Sequence, residues 1–262
     1  MNKGTWFFGA VVGLGLLFAG GLAASAEIKV MSSAGFYEPY HKLIPEFERT
    51  TGHRIVTIRG PSMGARPEAV PNRIARGEAV DVVIINTEAL DRLVADGKVL
   101  SASRTELARA AIGAVVRKGA PKPDISTVEA FKRTLLEAKS IAYSDSGSGV
   151  YLSTVLFPLL GIGEQIKDKS KMVPGSVAQA VARGEAELGF QTMSELLPVE
   201  GVDQLGEIPA QTQQLQSFAA GIAADAKEPA AGSALIKYLS SREAAPAIIQ
   251  SGMTPVSATA RK

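Results

Sequence analysis

From Glu27 onward, short β-branched runs alternate with stretches in which apolar residues recur every three or four positions. Strands covered on both faces lose polar alternation, whereas helices laid on such a sheet keep one apolar stripe. "EIKVM" predicts the first strand, and Tyr40, Leu43, Ile44 and Phe47 predict a helix from about Phe36 to Thr50. "RIVTI" and "VDVVII" predict two further strands, the latter in mid-sheet, with a helix over Glu88 to Asp96 behind it. A second series begins at "IGAVVRKG", Ile112 to Gly119. It continues through a helix over Val128–Ala138, strand "SIAYS", helices over Val150–Leu160 and Val177–Arg183, and strand "AELGF". "SFAAGIAA" predicts a last strand, and two closing helices run over Ala230–Leu239 and Ala244–Ser251.

This alternation predicts an α/β fold of two lobes, each a mostly parallel sheet flanked by helices, with a ligand cleft between them. Open parallel sheets bind ligands at the carboxyl ends of their strands, where helix N-termini present free N–H groups. Five strand-to-helix loops are therefore the places to look: Ser32 to Tyr37, Arg59 to Arg66, Asn86 to Glu88, Ser144 to Tyr151, and Gln191 to Ser194.

The first 26 residues break the pattern: Lys3 is their only charge, an apolar run extends from Trp6 to Ala23, and Ala24-Ser25-Ala26 follows. That is the form of a secretory leader cut before Glu27, with an uncleaved anchor as the alternative. The chain has no cysteine, which excludes a lipid anchor at the leader, disulfides and thiolate chemistry. Two histidines, His41 and His53, are too few for a histidine-rich metal centre, and no spaced acidic loop suggests another, so neither metal nor cofactor is expected. Lys and Arg number 28 against 26 Asp and Glu, which leaves no broad basic face for nucleic acid.

Within "TIRGPSMGARPEAVPNR", Thr57 to Arg73, two glycines and Ser62 lie between Arg59 and Arg66. Bared backbone N–H groups beside guanidinium forks suit an anion. In "SDSGSG", Ser146 and Ser148 alternate with glycines that admit close backbone approach, although turn and cap roles account for the same residues. Asp145 is expected to organise that loop, while His53, Arg73 and Arg76 are expected at the surface.

The segments "VMSSAGF", "FERTTGHRI", "RGPSMG", "ARGEAVDVVIINTEALDRLV", "VVRKGAPKPDIS", "IAYSDSGSGVYLS", "VARGEAELGF" and "ALIKYLSSREAAPAIIQSGM" span nearly all of the chain after the leader. In that order they resemble type II periplasmic solute-binding proteins of the molybdate-binding kind. The resemblance implies a periplasmic location and a hinge near Ala111 and Ser217. It divides the chain into lobe 1 over 27–111 plus 218–262 and lobe 2 over 112–217. It also implies a small anionic ligand, a monomer, and an ABC permease as partner if the protein is a receptor.

The departures from that family point to a larger anion. Gly35 stands where the family has its first-loop serine, Arg59 replaces an apolar residue, the second loop is lengthened to include Arg66, and Gln191 and Thr192 occupy the neighbourhood of an expected tyrosine. A narrower resemblance, to the family's aconitate-isomerising members, implies interconversion of trans- and cis-aconitate by an allylic proton shift. The alternative is a non-catalytic receptor for a carboxylate or oxyanion. Ser32, Ser33, Arg59, Ser62, Arg66, Ser146, Ser148, Gln191 and Thr192 are the candidate ligand contacts. A proton shift also needs an acid/base group, for which Tyr37, His41, Glu88 and Tyr151 remain equal candidates, the phenols with pKa lowered by arginine neighbours.

Overall fold

Two mixed sheets, of six and five strands, organise the chain in a computed structural model that describes residues 25–256. The leader therefore lies outside the described residues except for Ser25 and Ala26. Ala26 already takes part in the fold, because its carbonyl accepts from Arg54 N and its N–H donates to His53 Nδ1. That bond and a tilted contact with Phe47 hold His53 half-buried rather than at the surface.

The chain begins with β1 (Glu27–Ser32), α1 (Ala34–Thr51), β2 (Arg54–Arg59), α2 (Val70–Ala75), β3 (Val82–Asn86), α3 (Thr87–Ala95) and β4 (Thr105–Ala110). After Ala111 it enters the second sheet with β5 (Ile112–Arg117), α4 (Val128–Glu137), β6 (Ile141–Ser144) and α5 (Gly147–Tyr151). Short helices α6 (Phe157–Leu159) and α7 (Gly163–Ile166) precede β7 (Ser170–Val173), α8 (Val177–Ala182), β8 (Leu188–Thr192), α9 (Met193–Leu196) and β9 (Val202–Glu207). The return adds β10 (Gln216–Ile222), α10 (Pro229–Leu239), α11 (Ala245–Gln250) and β11 (Met253–Pro255) to the first sheet.

Strand order is β11-β4-β10-β3-β1-β2 in the first sheet and β7-β6-β8-β5-β9 in the second. The expectation of mostly parallel sheets needs correction. β1 runs parallel to β2 and β3, and β6 to β7 and β8, but β10 is antiparallel to β3 and β4, and β5 to β8 and β9. The reason is that the chain crosses between the sheets. β4 leaves for the second sheet and β10 comes back from it, so neighbours in the same sheet cross the same gap in opposite senses.

Each sheet buries both faces. Ile28, Val30, Ile84, Phe36, Tyr40 and Phe47 pack on one side of the first sheet, and Met31, Val83, Ile85, Leu90 and Leu93 on the other. This is why "VVIIN" in β3 is buried throughout and carries no polar alternation. Helix α1 keeps its apolar stripe despite Pro39 and Pro45 and stops at Gly52, whose φ of 74° lets its N–H reach Glu48 O. The single helix expected over Val150–Leu160 is instead α5, a wide π turn over Leu152–Leu156, and α6.

Candidate functional site

A cavity of about 260 Å³ lies where the carboxyl ends of β1, β2, β3, β6 and β8 face one another. Of the expected contacts, Ser33, Arg59, Ser62 and Arg66 line it from the first lobe. Ser146, Ser148, Gln191 and Thr192 line it from the second. Ser32 does not line it: the residue is fully buried in β1 and its hydroxyl donates to Ser33 O.

Ser33 follows strand β1 and occupies the N-cap position of α1 without capping it; its Oγ is buried and has no protein hydrogen-bond partner. Gly35 follows because a Cβ there would stand 2.1 Å from the Phe218 ring. The absence of the family's serine at this position is thus a packing requirement. In the next loop, Gly60 passes so close to Glu68 O that a Cβ would approach to 2.2 Å. Asn72 pins the loop by donating to Gly64 O (3.1 Å) and Arg66 O (2.7 Å). Ser62 Oγ accepts from Asn86 N.

The two arginines are held differently. Arg59, at the tip of β2, lies with its Cζ 3.9 Å above the Tyr37 ring, and Tyr37 stacks on His41 at 5.5 Å and 14°. A cation–π contact backed by a second ring fixes the guanidinium at the cleft. Arg66 reaches across the lobes, with Nη2 2.8 Å from Asp145 Oδ2. Asp145 therefore anchors an opposing loop. A second bond between the lobes runs from Ser194 Oγ to Gly35 O at 2.7 Å.

The glycines of "SDSGSG" serve close packing: a Cβ on Gly147 would meet Gln216 Oε1 at 2.5 Å, and one on Gly149 would meet Ser144 O at 1.7 Å. Ser148 Oγ is shared with Ser144 Oγ, 2.9 Å away. Ser146 makes no side-chain cap bond and lines the cavity.

None of the four expected acid/base residues lines this cavity. Tyr37 borders an adjoining recess with Arg59, and His41 is the exposed outer member of the stack. Glu88 is exposed and paired with Arg92 one turn along α3, where a first-turn acid also favours the helix dipole. Tyr151 donates to Thr212 O, and burial raises its pKa, opposite to the lowering expected from arginine neighbours. Glu88 and Tyr151 face a separate recess, divided from the cavity by Asn86, Gly147 and Gln216.

Glu195, which is not among the residues expected from the sequence, does line the cavity. Its Oε1 accepts from Gln191 Nε2 and its Oε2 from Thr192 Oγ1, both at 2.7 Å. Gln191 and Thr192 thus aim their polar atoms at this carboxylate. Desolvation pushes the Glu195 pKa up to about 7, aided by Asp145 and opposed by the two hydrogen bonds and Arg59. The only hint in the sequence was Gln and Thr four and three residues ahead of an acid, a spacing equally suited to an ordinary helix start.

The family model described as bacterial extracellular solute-binding protein matches residues 28–254. A protein named aconitate isomerase, from a Pseudomonas species, is 46% identical over 232 residues, 88% of this chain and 88% of that one. The molybdate-binding protein of Azotobacter vinelandii is 29% identical over 191 residues, covering 71% of this chain and 72% of its own. Among solved structures, the sulfate-binding protein SubI of Mycobacterium tuberculosis superposes with a TM-score of 0.70 at 20% identity, over 89% of this chain and 90% of that one. At that identity the likeness speaks for the fold alone.

Proposed function

This chain belongs to the bacterial extracellular solute-binding protein family, and on that premise we propose that it is an exported isomerase interconverting trans- and cis-aconitate. The observation that carries the reading is the 46% identity to an aconitate isomerase along 88% of both chains. The cavity supports it. A compact oxyanion is served by amides and hydroxyls, whereas Arg59 and Arg66 offer planar forks for separate carboxylates of a longer polyanion. Ser33 Oγ, unpartnered and buried at the start of α1, adds a donor, and Ser146 supplies another from the opposite lobe.

The allylic shift removes a proton from the methylene, spreads the resulting charge over three carbons and a carboxylate, and returns a proton at the other terminal carbon. It is redox-neutral and needs a proton carrier and charge stabilisation, both of which side chains supply, so the reaction proceeds without a cofactor. The guanidiniums fix the substrate and hold the developing charge. The protein acts in the periplasm as a monomer, after removal of the leader near Ala26.

A second reading, a receptor handing a small anion to an ABC permease, draws on the family itself and on the 29% identity to a molybdate-binding protein. Purified protein mixed with trans-aconitate and followed by proton NMR separates the two. The isomerase reading expects cis-aconitate to appear and approach a fixed ratio. Tight binding without product would leave the receptor.

A further inference from the structure

We infer that Glu195 is the acid/base residue that takes the proton from the methylene of an unsaturated tricarboxylate and returns it at the other end of the three-carbon allyl unit. The inference rests on the isomerase reading above and adds to it the group that reading lacks. In the step, a methylene C–H bond breaks and its proton passes to the Glu195 carboxylate while the electron pair delocalises over the allyl unit. A new C–H bond then forms at the far carbon and the double bond moves one place. Nothing is oxidised or reduced.

Its position favours Glu195. Glu195 is in the wall of the cavity that Arg59 and Arg66 also line, whereas Tyr37, His41, Glu88 and Tyr151 are outside it. One carboxylate near the middle of a three-carbon unit reaches both of its ends, as a single shuttle requires.

The carboxylate is also held by an ordered set of partners. Gln191 Oε1 accepts from Val177 N at 3.0 Å, which fixes the orientation of its amide. Its Nε2 then donates to Gly175 O and to Glu195 Oε1. Oε1 is therefore an acceptor whatever the charge, and a proton on Glu195 belongs on Oε2. That oxygen is 2.7 Å from Thr192 Oγ1, which is 3.2 Å from Ser194 Oγ, which donates to Gly35 O. When Glu195 is ionised, Thr192 donates to it. When it is protonated, its O–H donates to Thr192, whose own hydroxyl turns to Ser194. Both charge states are fully hydrogen-bonded, so the group can change charge without stranding a buried polar atom. Gly35 belongs to the opposite lobe, so the far end of the relay is a contact between the two lobes.

A carboxyl held near neutrality combines a useful ionised fraction with a useful proton affinity. The charged and titratable groups around it are Arg59 from β2, Tyr37 and Glu38 from α1, Arg66 and Glu68 from the second loop, and Asp145 from the loop after β6.

The test uses the full exported chain with trans-aconitate in deuterated water, read by NMR for isomerisation and methylene exchange and by calorimetry for binding. Glu195→Gln is expected to bind trans-aconitate within about threefold of the unaltered protein while losing roughly 10²–10⁴-fold of both turnover and exchange. Retention of more than about a tenth of turnover overturns the assignment of Glu195 and leaves the isomerase standing. Absence of turnover and exchange in the unaltered protein overturns the isomerase reading itself. Thr192→Val provides a test that does not depend on the folding of Glu195→Gln. Loss of the hydroxyl that favours the ionised carboxylate is expected to move the acid limb of kcat/KM to higher pH, and an unmoved limb counts against Glu195.

Discussion

Arg66 Nη2 and Asp145 Oδ2 stand 2.8 Å apart on loops of opposite lobes, so an ion pair bridges the rim of the cleft. The Arg66 side chain is 41% exposed and that of Asp145 18%, and pairs so open to water contribute only about 0–1 kcal/mol. The pair's larger effect is on the ligand, because Asp145 partly neutralises a guanidinium that a polyanion would otherwise use. A carboxylate a few ångströms from an anion repels it by about 1 kcal/mol or more near a protein surface. Asp145→Asn is therefore expected to lower the Kd for trans-aconitate roughly threefold to tenfold in low salt, with the gain shrinking as salt is added. Arg66→Ala should weaken binding by about 1.5–3 kcal/mol. Calorimetry on both variants checks the balance.

Arg59 depends on the ring beneath it. Its Cζ lies 3.9 Å from the Tyr37 centroid, so replacing the ring frees the guanidinium to move into solvent. Arg59→Ala should weaken tricarboxylate binding by about 1.5–3 kcal/mol, and Arg59→Lys should recover little, because a point charge neither forks nor stacks in the same way. Tyr37→Leu should lose about 0.5–2 kcal/mol, and Tyr37→Phe should keep the affinity because the ring remains. Equal affinities for Tyr37→Leu and the unaltered protein would show that the stack does not position Arg59.

The protonation of Glu195 has a consequence for stability. In the folded protein the carboxyl holds its proton up to about pH 7, whereas the unfolded chain releases it near 4.5. Between those values the folded state binds more protons, so this group's contribution is fully present below pH 4.5 and is lost as pH rises to 7. The change is on the order of 3 kcal/mol. Urea unfolding of the ligand-free protein at pH 4.5 and 7 should show Glu195→Gln gaining on the unaltered protein as pH rises. Parallel stability curves would mean that Glu195 is already ionised in the acid range.

Gly35 and Phe218 set the floor of the cavity. A methyl at position 35 would stand 2.1 Å from Phe218 Cζ, a contact that must be relieved by moving the ring or the start of α1. Gly35→Ala should destabilise by about 1–3 kcal/mol and lower the melting temperature by roughly 2–4 °C for each kcal/mol. Adding Phe218→Leu should restore part of the loss, a coupling that differential scanning calorimetry would resolve.

Residues whose meaning is local were legible in the chain itself. The β3 run is apolar because both its faces are covered, the α1 stripe repeats at helical spacing, and Gly52 ends that helix by taking a positive φ. The arginine-bearing loop was legible for the same reason: "RGPSMGAR" places two guanidiniums beside two glycines, and both arginines line the cavity. Strand β4 was not legible, since "TELARA" has the composition of a helix and becomes a strand only between β10 and β11. The same holds for β7, β9 and β11, whose short, polar or proline-bearing sequences carry little periodicity of their own.

By itself, then, the sequence determined the α/β alternation, the loops that face the cleft and the positive charge that the second of them brings to it, because backbone preference and side-chain charge act at the residue that carries them. Tertiary structure alone decided the antiparallel sense of β5 and β10, the seating of Arg59 on Tyr37, the bridge from Arg66 to Asp145, and the elevation of Glu195 above the other acids. Each of these depends on which groups meet across a gap and on how much water is left between them, and neither quantity is a property of any single stretch of chain.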